Sequence, residues 1–296
     1  MEEIRTELES LIEEMESVRT NTYGPEYNWH ELLTRAAFAK CFDFARWTLL
    51  QDFDNRDSFW VVATLRGIVE DIIFLSATKD MTFEDRNLLL SSLMRLDVEE
   101  GMNRQSRFFS KPEYYQIVLA SPSKITPSTK KVRDQMREVW KRYGLNPGPS
   151  GKGNIASLAD ATELREIYDF FYHLASRLVH FSPSVLLRSG WGEQDLKKKE
   201  ISPVFRHTNF SPYYSAMSTV YSLLLLSTFI ERLAGVLNLQ ESFHSLAESI
   251  REQLKHQRLP ELVTHEEMNM KPPNILLQAL GFVLRENPEL IAELDD

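Results

Sequence analysis

Apolar residues recur at helical spacing along most of the chain. Ile4, Leu8, Leu11, Ile12, Met15 and Val18 share one face of a 3.6-residue period and predict a first amphipathic helix. Asn21, Gly24 and Pro25 end it. Leu32, Leu33, Ala36, Phe38, Phe42, Ala45 and Leu49 predict a second, long helix over 25–51. A third, over 58–78, is apolar on nearly every side, the mark of a buried helix. A fourth is expected over 80–109, with Gly101 as a weak point. Pro112 starts a short helical segment, and Pro122 and Pro127 bound a loop. Ser128 is the expected cap of a fifth helix ending near Tyr143. The Gly- and Pro-rich run 144–153 is expected to be a flexible connection. A sixth helix is expected over 158–181, with a bend near Asp160. The run 182–211, rich in Pro, Gly and Lys, is expected to be a long mobile loop. Pro212 opens a buried seventh helix to Leu237. Further helices are expected over 240–257 and 273–284, before an acidic end at 287–296.

No internal repeat and no β-alternation interrupts this pattern. The expected fold is therefore all-α, a multi-helix bundle around one main core. Its expected parts are an N-terminal helical arm (1–24), the bundle core (25–237) and a C-terminal helical extension (238–296). The arm and the tail are candidates for self-association, which would make the protein a homo-oligomer.

Composition agrees with a globular chain: 43% of residues are hydrophobic, 26% are charged, and 17 Phe supply a sizeable core. A net charge of −9 argues against a general polyanion binder. The single cysteine, Cys41, excludes an intrachain disulfide and any multi-cysteine metal site; its ordinary role is a small core residue. Met1 to Arg19 carries seven acids and two arginines, the wrong sign for the start of a signal peptide. The longest apolar stretch, Thr219–Ile230, is interrupted by Ser222, Ser227 and Thr228 and falls short of the roughly 20 residues that span a bilayer. The expected location is the cytoplasm, away from the membrane, with no metal or cofactor.

Several familiar motifs fail. Gly151–Lys152 lacks the phosphate loop's earlier glycine, where Asn146 stands, and its following Ser or Thr, where Gly153 stands. Glu241 and His244 make one Glu-x-x-His, whereas a di-iron bundle needs two. No His-Glu-x-x-His or Gly-x-Ser-x-Gly occurs.

One constellation has a pattern that helix stability does not explain. Arg66 and Glu70 lie one turn apart on the third helix, flanked by Val62, Leu65, Val69, Ile73 and Phe74. A charged pair in apolar surroundings must find partners. Arg preceding Glu is also the weaker order for intrahelical support. On the sixth helix, Leu164, Ile167, Phe170, Phe171, Leu174 and Leu178 form the apolar side. Tyr172, Ser176 and His180 make a second stripe, spaced by four. A solvated face is usually Lys and Glu; Tyr, Ser and His are groups that donate, accept or carry protons. Ser182–Pro183 stops the helix and puts His180 in its last turn, where the dipole favours an imidazolium. Arg66, Glu70, Tyr172, Ser176 and His180 are thus expected to converge as one catalytic site. The structural alternative is a buried salt bridge beside a satisfied histidine.

These residues carry a resemblance. Arg66-x-x-x-Glu70, then Ile155–Asp160, Tyr168 and the run Tyr172-x-x-x-Ser176-x-x-Val179–His180 followed by Ser–Pro, resembles a large bacterial family of uncharacterised helical proteins. It covers about positions 30–235. The family is known mainly as a domain of unknown function, and some members look related to abortive-infection and HEPN-like proteins of phage defence. The resemblance implies a stress or antiviral defence role and, through the HEPN connection, a metal-independent ribonuclease. HEPN ribonucleases carry Arg, four to six residues, then His. Arg251–His256 and Arg258–His265 fit that spacing at the chance rate, and Pro260 spoils the second. Arg251 and His256 remain the runner-up catalytic pair.

A basic segment bears on partners. Positions 124–152 hold eight Lys or Arg and two acids, and Lys130, Arg133, Arg137 and Lys141 fall on one face of the fifth helix. Such a stripe is a candidate phosphate contact for RNA or another nucleic acid. It equally suits a solvated face, or contact with an acidic arm; Lys197–Lys199 adds to either. Two readings follow: a ribonuclease with His180 as general acid or base and Arg66 stabilising phosphate charge, or a non-catalytic interaction or sensor module in a defence complex, with the cluster as a structural lock.

Overall fold

A computed structural model describes residues 1–20, 28–51, 57–117, 129–190 and 205–263 of the chain. The Ser128 cap, the Pro122–Pro127 loop, Lys197–Lys199, the helix expected over 273–284 and the acidic end lie outside them. Among the described residues the structure is all-α, with no strand, and the helices surround one hydrophobic core.

The core is built on α3 (Trp29–Leu50) and α11 (Ser211–Leu237), which run antiparallel side by side. Asn28 caps α3 by accepting the Glu31 amide at 3.3 Å. Phe38 packs on Phe229 and Phe243 with ring centroids 5.2 and 5.5 Å apart. The hydroxyls inside the greasy α11 are satisfied: Ser222 meets Thr48 at 2.8 Å and Thr219 donates to the Thr48 carbonyl at 3.1 Å. His207–Leu237 does reach the length and hydropathy of a bilayer-spanning segment, contrary to the count over Thr219–Ile230. Yet 72% of its most apolar window is buried inside this protein's own core. Asn238, left-handed at φ 50°, ends α11.

Three expected single helices are broken. The first divides at Leu11 into α1 (Glu2–Ser10) and α2 (Ile12–Arg19). α1 rests on α3 and α12 (Glu241–Lys255), and α2 on α3. The arm's apolar stripe, Ile4, Leu8, Leu11, Met15 and Val18, is therefore buried within its own chain rather than left for a second copy. The third helix becomes α4 (Ser58–Val61) and α5 (Thr64–Thr78). The sixth, expected to bend near Asp160, divides close to that point into α8 (Ile155–Ala161) and α9 (Arg165–Val179), separated by Glu163 at φ 59°. By contrast α6 (Phe83–Phe109) runs through Gly101 without a break.

Two runs expected to be irregular carry structure. After α7 (Thr129–Arg142), residues 144–153 fold back onto that helix instead of forming a flexible connection. Trp140 donates through Nε1 to the Gly151 carbonyl at 3.1 Å, and Arg137 donates to the Pro149 carbonyl at 2.9 Å. Within the expected long loop, Pro183–Arg188 forms α10, and His207–Phe210 a 3-10 turn that leads into α11. Arg188 is buried there, 5.2 Å from the centroid of the Tyr213 ring.

Candidate functional site

α5 offers one face to the core and one to the surface. Leu65, Ile68, Val69, Ile72 and Ile73 take the inner face, so Arg66 and Glu70 fall on the outer one. Their side chains are 33% and 30% exposed. The expected buried pair is therefore a half-exposed one, because only part of this apolar helix is enclosed.

α9 packs alongside α5 and supplies the second half of the site. Its Leu164, Phe171, Leu174 and Ala175 face inward, which turns Tyr172 outward. Arg66 donates through Nε to Glu70 at 2.8 Å, and its guanidinium lies 4.5 Å from the Tyr172 ring centroid. Tyr168, one turn earlier, is tilted against Tyr172 with centroids 5.6 Å apart. The Glu70 hydrogen bond raises the Arg66 pKa above its ordinary value, and the Glu70 charge and both tyrosines add to it. Burial first, then Glu70, raises that of Tyr168. The result is a fixed cation on an aromatic platform, charged at every accessible pH.

Ser176 and His180 lie further along α9. His180 is exposed and already outside the helix, with extended backbone (φ −101°, ψ 166°) and its amide on the Ser176 carbonyl at 2.9 Å. Eight residues of helical rise put it about 12 Å beyond Tyr172 along the axis. The two helices run antiparallel. Phe74, near the end of α5, meets Trp140 beside α8, which precedes α9. Going from Tyr172 to His180 therefore leads past Arg66 towards the start of α5. The structure brings together Arg66, Glu70 and Tyr172 and adds Tyr168, while among the described residues no side-chain contact joins Ser176 or His180 to them.

The basic stripe is partly neutralised by its own helix. Arg137 pairs with Asp134 at 2.8 Å and Lys141 with Glu138 at 3.3 Å, while Gly151 closes over the backbone of Arg133. Lys130 is exposed. The runner-up pair is divided between two acids: Arg251 bonds Glu231 on α11 at 2.5 Å, and the exposed His256 bonds Glu252 at 3.0 Å.

Sequence reasoning missed a third feature. Leu33, Ala37, Phe74, Leu75, Leu90 and Leu93 line a cavity of about 380 Å³ between α3, α5 and α6, with the Lys40–Asp71 ion pair on its wall. Burial raises the Asp71 pKa, opposed by the hydrogen bond from Lys40. Lys40 and Asp71 are 31 positions apart on different helices, so neither helical period links them. No family model matches the chain, and no curated protein or solved structure matches it.

Proposed function

We propose that this chain is a non-catalytic helical interaction module of a bacterial stress or phage-defence complex, and that the outer side of α5 and α9 is its contact face. The observation that carries this reading is the state of Arg66, held by Glu70 at 2.8 Å and seated on Tyr172 at 4.5 Å while still half exposed. Tyr and Arg are the residues that most often dominate binding energy at protein interfaces, and a cation ordered before contact loses little entropy on binding. The defence setting rests on the family resemblance. The ribonuclease reading needs Arg66 and His180 on one phosphate, whereas the contacts of Arg66 among the described residues are to Glu70 and Tyr172 and the His180 side chain is exposed. A protein partner is favoured over RNA because Asp134 and Glu138 answer the cations beside them on α7.

Two assays on one preparation test this. Purified protein incubated with total RNA is expected to leave it intact. Partners retained by the tagged protein are expected to be lost from Arg66→Glu and Tyr172→Ala but not from His180→Ala. RNA cleavage that disappears in His180→Ala restores the ribonuclease reading.

A further inference from the structure

The cavity between α3, α5 and α6 has the build of a small-molecule site. Its volume of about 380 Å³ lies at the lower end of the roughly 300–1,000 Å³ usual for such sites. Close-packed helices leave few spaces larger than a water molecule. Here the space follows from the sequence: α3 packs on both α5 and α6, and where it lines the cavity it carries Ala36 and Ala37, whose single methyl groups fill little of it. Leu75 and Leu90, both buried, line it together with the partly exposed Leu33, Leu93 and Met94. Among the described residues, Lys40 and Asp71 are its only charged lining groups, and they pair with each other. The rest of the lining is apolar.

The two charges are not equivalent. The Asp71 carboxylate sits on a short stem, with the side chain 36% exposed. Burial disfavours its ionised form more than Lys40 restores it, and the Glu70 charge adds to that deficit. Lys40 is 46% exposed, and its four methylenes let the ammonium turn to water. Ion pairs this open hold weakly.

That asymmetry selects the charge of a ligand. An anion would have to draw Lys40 away and leave Asp71 unpaired at an apolar wall, next to Glu70 in sequence. An unpaired carboxylate there is costly. An ammonium that takes Asp71 leaves unpaired only the cation that can reach solvent, and the exchange of one ammonium for another conserves charge. The net charge of −9 also favours the approach of cations.

We propose that this cavity binds a small primary amine with an apolar body, its ammonium on Asp71 in place of Lys40 and its hydrocarbon against Leu33, Leu90 and Met94. Neither Arg66 nor Tyr172 lines the cavity, so this site stands independently of the contact face proposed above.

The test is a ligand-observed NMR titration of the full chain with butyl-, hexyl- and octylammonium, with octanol and octanoate as the uncharged and anionic counterparts. Octylammonium is expected to bind saturably, ahead of octanol and then octanoate. Along the amine series, affinity is expected to rise about fourfold per methylene until the cavity is full. Asp71→Asn keeps the shape of the side chain. It is expected to lower the octylammonium-to-octanol affinity ratio at least about tenfold, the loss of a hydrogen bond to a charged group. Lys40→Ala removes the competing ammonium and is expected to bind octylammonium at least as tightly as the parent. Ala37→Leu fills the space and is expected to weaken all three amines. No saturable binding to the parent, tighter binding of octanoate than of octylammonium, an unchanged ratio in Asp71→Asn, or loss of octylammonium binding in Lys40→Ala each overturns the proposal.

Discussion

The guanidinium of Arg66 on α5 lies 4.5 Å from the ring centroid of Tyr172 on α9. It is a polar contact between two helices that pack side by side. The same guanidinium is tied to Glu70, so Tyr172 packs on a cation whose position its own helix has already set. Contact and pairing together fix the outer surface of the α5–α9 layer without burying it.

The coupling between these two residues is measurable. A double-mutant cycle of Arg66→Ala and Tyr172→Ala by urea unfolding is expected to give an interaction of about 0.5–1 kcal/mol, the range of an exposed cation–π contact. The Glu70 ion pair adds little, since half-exposed i,i+4 pairs contribute about 0.3–0.5 kcal/mol. A coupling near zero means that Tyr172 and Arg66 are neighbours without mutual attraction.

His180→Ala is expected to fold normally, with stability within about 0.5 kcal/mol of the parent, as for a surface substitution away from special features. The imidazole is exposed and, among the described residues, has no hydrogen-bond partner to strand. A fall of several degrees in melting temperature would instead place His180 in a structural contact.

The loop after α7 gives a prediction from backbone geometry. Gly153 sits at φ +91°, and a Cβ there would stand 3.0 Å from the Trp140 ring. Gly153→Ala is expected to cost about 1–3 kcal/mol, measured by chemical unfolding, because left-handed backbone and ring crowding add. A neutral result would mean that the fold-back of 144–153 does not depend on this packing.

Helix content was legible because it rests on a local period. The apolar series through α3 and α11 marks the two helices that build the core. Breaks were not legible at Leu11 or Val62, each of which divides a continuous apolar series; the bend expected near Asp160 falls at Glu163, whose positive φ its residue type does not announce. Gly101 showed the reverse, a weak helix former carried through by a long helix. The Arg66–Glu70 pair was legible as i,i+4 spacing, and its place beside Tyr172 followed from two matching stripes. The position of His180 was not, because a stripe drawn at a spacing of four assumes that the helix continues, whereas α9 ends at Val179. The fold-back of 144–153 depends on Trp140 reaching the Gly151 carbonyl, a contact that a count of Gly and Pro does not reveal.

Burial holds the His30 imidazole below its ordinary pKa of 6.5, with Arg86 adding to the shift and the Leu75 carbonyl and Asp80 opposing it. The folded state then binds fewer protons than the unfolded one just below pH 6.5. Stability from this group is complete above that pH and falls as the solution is acidified through it. His30→Gln keeps a donor for the Leu75 carbonyl but does not titrate. Its melting temperature is expected to fall less between pH 7.5 and about pH 5.5 than that of the parent. Parallel pH profiles would show that His30 does not titrate differently on unfolding.

Asp71 has the opposite sign. Burial raises its carboxyl above the ordinary value of 3.8, the Lys40 hydrogen bond and charge oppose that shift, and Glu70 adds a little to it. The folded state therefore takes up a proton more readily than the unfolded chain. From about pH 3.9 upward, the contribution of Asp71 to stability declines as the carboxylate forms in its half-buried place beside the α3–α5–α6 cavity. Asp71→Asn removes that titration and retains a side chain of the same shape. Relative to the parent, the variant is expected to gain in melting temperature as pH rises from 4 towards 7. The differential profile, rather than the absolute stability, is the readout, because burial and the Lys40 pairing both act on the ionised carboxylate and their balance sets the slope's sign. A variant that instead loses ground as pH rises would show that Lys40 outweighs burial and that Asp71 is ionised more easily in the folded protein than outside it.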